Sequence, residues 1–440
     1  MNSIDKQSSA PLSRRTLMRS ASAVAVAGSL SLARSAHAAG SDEIRIALIG
    51  CGGRGTGAAM QAIKNAAGAK VKLVAMADAF KNRLELAHKS IQAQCPDQVD
   101  VPEERRFVGL NAYQKAIECD VDMVLLCSPP GFRPDQFEAA VEAGRHVFME
   151  KPVATDAPGV RRVLATNEKA KQKQLLVAVG HHLRHEIKHR ESIDRIRSGD
   201  IGDVMFMRAY FNSGGVWVMP RKQDQTEMEH QTRNWYYFTW AGGDHIVEQH
   251  VHDLDVCNWI MDGPPVEARG AGGRQFRKGP QYGEIFDHFS IEFTYANGAK
   301  MFSYCRHIPN CWNSFSQDAH GTKGKIHIEG HGTANIMVDG AKPVAIPRGP
   351  DGHQLEHDDL FAALLEGRPY NEGDYGASST MTAILGRMAA YSGKIISYED
   401  GLNSQVDLKP KAMTWDADTP VKPEDDGTYA CAMPGVTNVL

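Results

Sequence analysis

The chain has 440 residues, with 49 lysines and arginines against 53 aspartates and glutamates and a net charge of −4. That length accommodates two domains with sizeable cores. The balanced charge, with no long basic stripe, argues against a nucleic-acid partner, and no run beyond residue 38 is apolar over the length of a bilayer span, so no membrane anchor is expected.

Residues 1–38 read as a processing signal. Ser13-Arg14-Arg15-Thr16-Leu17-Met18 is a twin-arginine pattern, Ala21 to Leu32 is an apolar stretch too short to cross a membrane, and Ala36-His37-Ala38 fits the small-x-small cleavage rule. Cleavage near Ala38 implies a periplasmic or exported protein. The twin-arginine route carries folded chains, which suits one that leaves with a tightly bound cofactor.

Residues 39–165 read as a dinucleotide-binding domain. The apolar run Ile44 to Ile49 predicts a strand that enters Gly50-Cys51-Gly52-Gly53-Arg54-Gly55, and Gly55 to Asn65 predicts the following helix. In such a turn one glycine makes the bend, one lets the backbone approach a pyrophosphate, and one lets helix and strand pack closely. The helix start adds free N–H groups and a positive dipole end. Gly50, Gly52, Gly53, Arg54 and Gly55 are therefore candidate cofactor contacts.

Val71–Met76 predicts a second strand leading to Asp78, which lies 23 residues beyond Gly55, where an acid holds the ribose hydroxyls of NAD. The plainer reading makes Asp78 a helix N-cap. Lys81 and Arg83 stand close enough to meet a 2′-phosphate, so NAD is preferred and NADP stays open.

Asp122–Leu126 predicts a third strand, ending in Cys127-Ser128-Pro129-Pro130. Ligands of open parallel sheets gather at that carboxyl edge, which makes Ser128 and Pro129 candidates. A helix from Pro134 to Gly144 and a strand His146–Met149 lead to Glu150-Lys151-Pro152. Pro152 ends the ladder and releases Lys151, with Glu150, on the cofactor side.

Beyond residue 165, residues 185–198 are helix-like. Val204–Phe211, Phe286–Tyr295, Ala299–Cys305 and Lys325–Glu329 are strand candidates, with Asn297-Gly298 as a hairpin turn. Clustered strands of this kind predict an antiparallel sheet.

Gly243 to Ile260 predicts one helix, with Val247, Val251 and Leu254 on its apolar face. His245, Glu248, His252 and Asp255 recur at spacings of three, four and three and form a separate polar stripe. A neutral histidine suits removal of a hydroxyl proton near pH 7. His252 is the candidate general base, Glu248 its orienting or relaying partner, and Lys151 the group that holds the substrate hydroxyl. His245, Glu248 and His252 are also residue types that suit Zn²⁺ or Mn²⁺, which leaves a metal-assisted enzyme as an alternative.

Upstream, Trp217, His230, Arg233, Asn234, Trp235, Tyr236, Tyr237 and Trp240 form an aromatic and polar cluster suited to stacking and hydrogen-bonding a sugar, or to packing a loop between domains. The eight cysteines are scattered, with no CxxC pair, and read as small buried residues rather than a disulfide framework.

The order strand–GCGGRG–helix, Asp78, Cys-Ser-Pro-Pro, Glu150-Lys151-Pro152, Gly180-His181-His182-Leu183-Arg184, Gly199-Asp200-Ile201-Gly202, and Gly242-Gly243 through His252 to Asp255 resembles the glucose–fructose oxidoreductase / inositol dehydrogenase / rhizopine-catabolism (Gfo/Idh/MocA) family. The resemblance implies an α/β protein with an N-terminal Rossmann domain. Residues 166–440 would form a C-terminal α/β domain with a large, open, mostly antiparallel sheet through which the chain forms a homo-oligomer. It implies NAD(P)-dependent hydride transfer to or from a hydroxyl-bearing carbon of a sugar, cyclitol or related polyol. Lys151 and His252 match the family's catalytic positions, while Glu248 stands where the family keeps an Asp. Arg184, Arg233, Trp235, Tyr236 and Asp255 become candidate substrate contacts. Some members resembling this chain are redox-neutral glycosidases that oxidise, eliminate and reduce on a bound NAD, and that reading stays open. A sensory or solute-binding protein on a Rossmann fold is the non-enzyme alternative.

Overall fold

Short apolar runs alternating with helices wind the first half of the chain into a parallel sheet. In the computed structural model residues 43–440 are described, and the export signal expected at residues 1–38 lies outside them. The strands β1 (Glu43–Ile49), β2 (Lys70–Asp78), β3 (Arg106–Val108), β4 (Met123–Leu126), β5 (His146–Met149) and β6 (Val177–Val179) lie in the order β3-β2-β1-β4-β5-β6. The pairings β1–β4, β2–β3, β4–β5 and β5–β6 are parallel. Residues Ile46 to Ile49 and Met123 to Leu126 are buried throughout, as strands covered by helices on both faces must be. Strand order reverses beside β1, between β1 and β4, which opens a crevice at their carboxyl ends.

The parallel sheet runs past the boundary expected at residue 165. That position falls inside the helix Ala157–Gln172, and β6 follows it as the sixth strand. A three-residue strand carries too little periodicity to be read from sequence.

The second sheet has nine strands: β7 (Val204–Ser213), β8 (Glu267–Gly273), β9 (His288–Thr294), β10 (Lys300–His307), β11 (Ser314–Gly321), β12 (Gly324–Glu329), β13 (Ala334–Val338), β14 (Val344–Ile346) and β15 (Ile396–Ser397). Their order is β14-β13-β12-β11-β7-β10-β9-β8-β15. Every pairing is antiparallel except the parallel β7–β10 pair at the centre. The helices Val251–Met261 and Gly373–Ser392 cover its inner face, and the second also packs on the helix Ala157–Gln172, joining the two halves.

The single helix expected from Gly243 to Ile260 is instead two, His245–Glu248 and Val251–Met261. The N–H groups of Gln249 and His250 both reach the His245 carbonyl, at 3.1 and 3.2 Å, so the chain makes one widened turn. Val247, Val251 and Leu254 are nonetheless all buried. All eight cysteines are free thiols. Among the described residues no helix is long and apolar enough to cross a membrane.

Candidate functional site

The glycine turn divides its labour by sterics. Gly50 has φ +93°, and a Cβ there would lie 2.4 Å from the Ser128 nitrogen; a Cβ on Gly55 would lie 1.9 Å from the Gly50 carbonyl oxygen. These two glycines let β1, the helix Gly53–Ile63 and the β4 loop close on one another. Gly52 and Gly53 would meet nothing within 4 Å. Their open side faces a cavity of about 480 Å³ lined also by Arg54, Asp78, Phe80, Arg83, Ser128 and Pro129. No side chain caps the first turn of that helix, so its N–H groups stay available for an anion.

Asp78 is held in place at this cavity. Its Oδ2 accepts from the Cys51 N–H at 2.7 Å and its Oδ1 from the Phe80 N–H at 2.8 Å. Burial pushes the carboxyl up from its usual range, against the pull of those two N–H groups. The helix Lys81–Gln94 takes its N-cap at Phe80 with no side-chain cap bond, so Asp78 is no N-cap. Open glycine backbone, an uncapped helix start and an oriented acid together fit a dinucleotide's pyrophosphate and ribose.

Arg54 departs from the expected role of a plain phosphate contact. It pairs with Glu150, with Glu356 at 2.9 Å and with Gln61 at 2.7 Å. Glu150 is buried; against the upward push of burial, Arg54 holds its carboxyl below the usual range. Arg54 and Glu150 thus brace the wall between two cavities. A second brace was not foreseen: buried Arg133 donates to the carbonyls of Ser128 and Pro152, tying the β4 loop to the loop that carries Lys151.

The second cavity, about 690 Å³, adjoins the first, with Arg54, Cys127, Ser128 and Trp235 lining both. Lys151, Glu248, Gln249, His252 and His182 line it as well. Lys151 Nζ lies 3.0 Å from Glu248 Oε1 and also donates to the Glu248 carbonyl oxygen. Burial first, and the Lys151 charge second, push the His252 imidazole well below its ordinary value, so it stays neutral. Its ring sits edge-on to His182, with centroids 4.8 Å apart, and its buried Nδ1 has no hydrogen-bond partner.

The widened turn corrects the polar stripe. Among the described residues no hydrogen bond joins Glu248 to His252; Glu248 serves Lys151 instead. His245 is fully buried, bonded to Asp244 at 2.8 Å and stacked on His307. The three residues that the metal-assisted alternative would join therefore do not converge. Among the described residues no group of three or more His, Cys, Asp or Glu side chains is placed to hold a metal ion.

The substrate candidates divide. Trp235 lines both cavities. Arg233 lies at the nucleotide cavity, its guanidinium 3.9 Å over the Phe80 ring, and not at the substrate side. Arg184 and Asp255 face each other in a buried bidentate pair at 2.8 and 2.9 Å. Burial pushes the Asp255 carboxyl up, but Arg184 outweighs it and holds the group below its usual range. Neither lines either of these two cavities. Tyr236 is buried behind the wall, donating to Gln249 Oε1 at 2.9 Å, while His307 Nε2 meets the same oxygen at 2.7 Å. Gln249, which sequence reasoning passed over, is thereby presented to the cavity. Its only signal was its place beside Glu248.

A parallel sheet with this turn, this acid and a second cavity against the strand ends defines a nucleotide-dependent protein of the Rossmann class. Residues 44–181 match the oxidoreductase family with an NAD-binding Rossmann fold, and residues 189–327 match the GFO/IDH/MocA C-terminal domain. The chain belongs to the Gfo/Idh/MocA oxidoreductase family.

It is 25% identical over 301 residues to the 1,5-anhydro-D-fructose reductase of Ensifer adhaerens, covering 64% of this chain and 81% of that one. It is 24% identical over 327 residues to the inositol 2-dehydrogenase of Rhizobium meliloti, covering 73% and 87%. In fold it is similar to a levoglucosan dehydrogenase in complex with NADH and levoglucosan, with TM-score 0.64, 17% identity, and 81% of this chain and 99% of that one covered.

Proposed function

We propose that this protein is an NAD-dependent oxidoreductase that moves a hydride to or from a hydroxyl-bearing carbon of a sugar or cyclitol. The observation that carries the reading is the shared wall. The nucleotide cavity and the cavity holding Lys151, Glu248 and His252 meet at Cys127 and Ser128, at the carboxyl end of β4. The relatives named above support the substrate class.

When bound, the dinucleotide supplies the hydride acceptor or donor. In the oxidation direction, Lys151 holds the substrate hydroxyl and stabilises negative charge growing on its oxygen. Glu248 fixes the ammonium in place. Neutral His252 receives the hydroxyl proton. Asp78 and two neighbouring arginines, Arg83 and Arg233, share the ribose end of the first cavity. The acid supports NAD over NADP.

The test is to incubate dinucleotide-loaded protein with a panel containing levoglucosan, myo-inositol and 1,5-anhydro-D-fructose and follow absorbance of the reduced cofactor. A carbonyl product with matching cofactor change supports the reading. Release of an aglycone from a glycoside with no net cofactor change would replace it by the redox-neutral cycle.

Export through the twin-arginine pathway is part of the proposal, resting on the ordered elements between Ser13 and Ala38. Cell fractionation of the full chain, beside a variant with Arg14 and Arg15 replaced by lysine, tests it. A homo-oligomer is proposed through the outer face of the nine-stranded sheet. There Tyr210 stacks on Tyr304, Phe206 stacks on His320, and Trp312 is 59% exposed. Light scattering of the purified chain decides that point.

A further inference from the structure

The nucleotide cavity is not walled by the Rossmann domain alone. Trp217, Met219, Thr232, Arg233 and Trp235 line it from the opposite side, and all belong to the segment after β7. Arg233 reaches across to lie over Phe80, the second residue after Asp78. This segment covers the cleft.

The cover is fastened by the end of the chain. Residues 404–440 contain no helix or strand. They would make a loose tail unless tied down, and they are tied to both sides of the cleft. On the Rossmann side, Trp415 packs on Phe80, with ring centroids 5.4 Å apart. Asn111 Nδ2 donates to the Met413 carbonyl at 3.3 Å, and Asp156 Oδ2 accepts from the Leu408 N–H at 2.9 Å. On the cover side, Gln231 Nε2 donates to the Val421 carbonyl at 2.7 Å. The Tyr429 hydroxyl donates to Glu227 at 2.6 Å and accepts from Arg221 at 3.1 Å. Tyr429 itself is buried against Phe238.

We propose that the C-terminal tail is a cofactor-retaining strap: Trp415 and Tyr429 pin the segment carrying Arg233 against Phe80 over the adenosine half of the dinucleotide, so that release requires the strap to detach. Leaving the cleft means separating Arg233 from Phe80; Phe80 is held by the Trp415 ring, and the helix carrying Arg233 is anchored through Glu227 to Tyr429. Trp415 and Tyr429 touch no reacting atom; they act through Phe80, Glu227 and Arg221. The inference rests on the dinucleotide reading of the first cavity and is independent of the sugar chemistry.

The test is a dissociation rate. Full-length protein is loaded with NADH, and the loss of bound-NADH fluorescence is followed after mixing with excess NAD. Trp415→Ala, Trp415→Phe and Tyr429→Phe are compared with the parent chain, with the exposed Leu365→Ala, on the helix Gly352–Leu365, as a control. The expected result is dissociation faster by about tenfold or more in Trp415→Ala and Tyr429→Phe. Trp415→Phe should lie between them and the parent, and the control should be unchanged. Equal dissociation rates in parent and variants, with unaltered thermal midpoints, overturn the strap. Should Trp415→Ala fold poorly, the milder Trp415→Phe and Tyr429→Phe decide the matter alone. Failure of the parent chain to bind NADH at all would instead overturn the dinucleotide reading on which the strap depends.

Discussion

Lys151 and Glu248 come from elements 97 residues apart and meet at 3.0 Å on the wall of one cavity, beside His252. The pairing joins the end of β5 in the parallel sheet to the short helix ahead of the widened turn. It also places a cation, its counter-charge and a neutral base within one substrate's reach. Replacing Lys151 by Ala or Met should lower turnover roughly 10²–10³-fold while bound dinucleotide, measured by mass spectrometry, stays the same. Loss of both cofactor and turnover would show that Lys151 holds the cofactor rather than the reacting hydroxyl.

His252→Asn should cut turnover in the oxidation direction roughly 10²–10⁴-fold. Because burial holds His252 neutral well below its ordinary value, the parent enzyme's activity should not fall on this residue's account as pH drops from about 8 to about 6. A pH–rate profile with an inflection near 6.5 that disappears in His252→Asn would contradict this.

The four glycines of the turn should separate in their effects. Gly55→Ala drives a Cβ against the Gly50 carbonyl and should destabilise the fold. Gly52→Ala meets nothing within 4 Å and should leave the thermal midpoint unchanged while NADH affinity drops about tenfold or more, since its Cβ enters the space left for phosphate. Calorimetric titration beside a melting curve distinguishes the two.

Arg184 and Asp255 should behave as structure. Asp255→Asn or Arg184→Met leaves one buried charge without its partner and should cost about 3–5 kcal/mol of stability. Urea denaturation reads this directly. A variant that keeps its stability and loses only substrate affinity would restore the substrate-contact role.

Acid should weaken the protein well before its carboxylates titrate. Burial pushes His182, His250, His252, His307 and His357 below their ordinary value, His250 to about 3. In the unfolded chain such groups titrate near 6.5, so below about that pH the unfolded state binds protons that the folded state refuses. Their contribution is complete above about pH 6.5 and is lost as pH falls, by about 1.4 kcal/mol per group and pH unit. Asp253 and Glu356, raised mainly by burial, work in the opposite sense. His185 does too: against burial, Asp359 and Glu372 raise it to about 9, so its contribution is full below its unfolded value and lost as pH rises through 9. Among the described residues eleven histidines in all are held below their ordinary value, against seven groups that act the other way (these three with Asp78, Asp156, Glu284 and His327), and the thermal midpoint at about pH 5 should lie below that at about pH 7. A midpoint that stays level or rises would refute the assignment of neutral histidines.

Local chemistry was legible in the chain itself. Gly50 to Gly55 after an apolar run, Asp78 at its spacing, and Pro152 releasing Lys151 depend on backbone freedom and on short-range order; the structure sets Gly50, Gly52, Gly53, Gly55, Asp78 and Lys151 on the two cavities, while Arg54 pairs with Glu150 and Glu356. The cluster from Trp217 to Trp240 was legible only as a composition. Its members went to three places: Arg233 to the nucleotide cleft, Trp235 to the shared wall and Tyr236 to the interior behind Gln249. Periodicity suggested a continuous helix from Gly243 to Ile260, because Val247, Val251 and Leu254 keep helical spacing on both sides of the break. Periodicity reports which side chains are buried, and a widened turn leaves that pattern almost unchanged.

The sequence by itself determined the Rossmann half, its glycine turn and the release of Lys151 at the end of β5. All of these follow from contacts among residues close in the chain. Only the tertiary structure decided that Glu248 serves Lys151 and not His252, that Arg184 and Asp255 neutralise each other, and that the tail from Ser404 fastens the cleft. Each of those depends on which charged or aromatic groups are brought together from distant segments. A buried charge must find a partner wherever the fold supplies one, and sequence spacing carries no record of that choice.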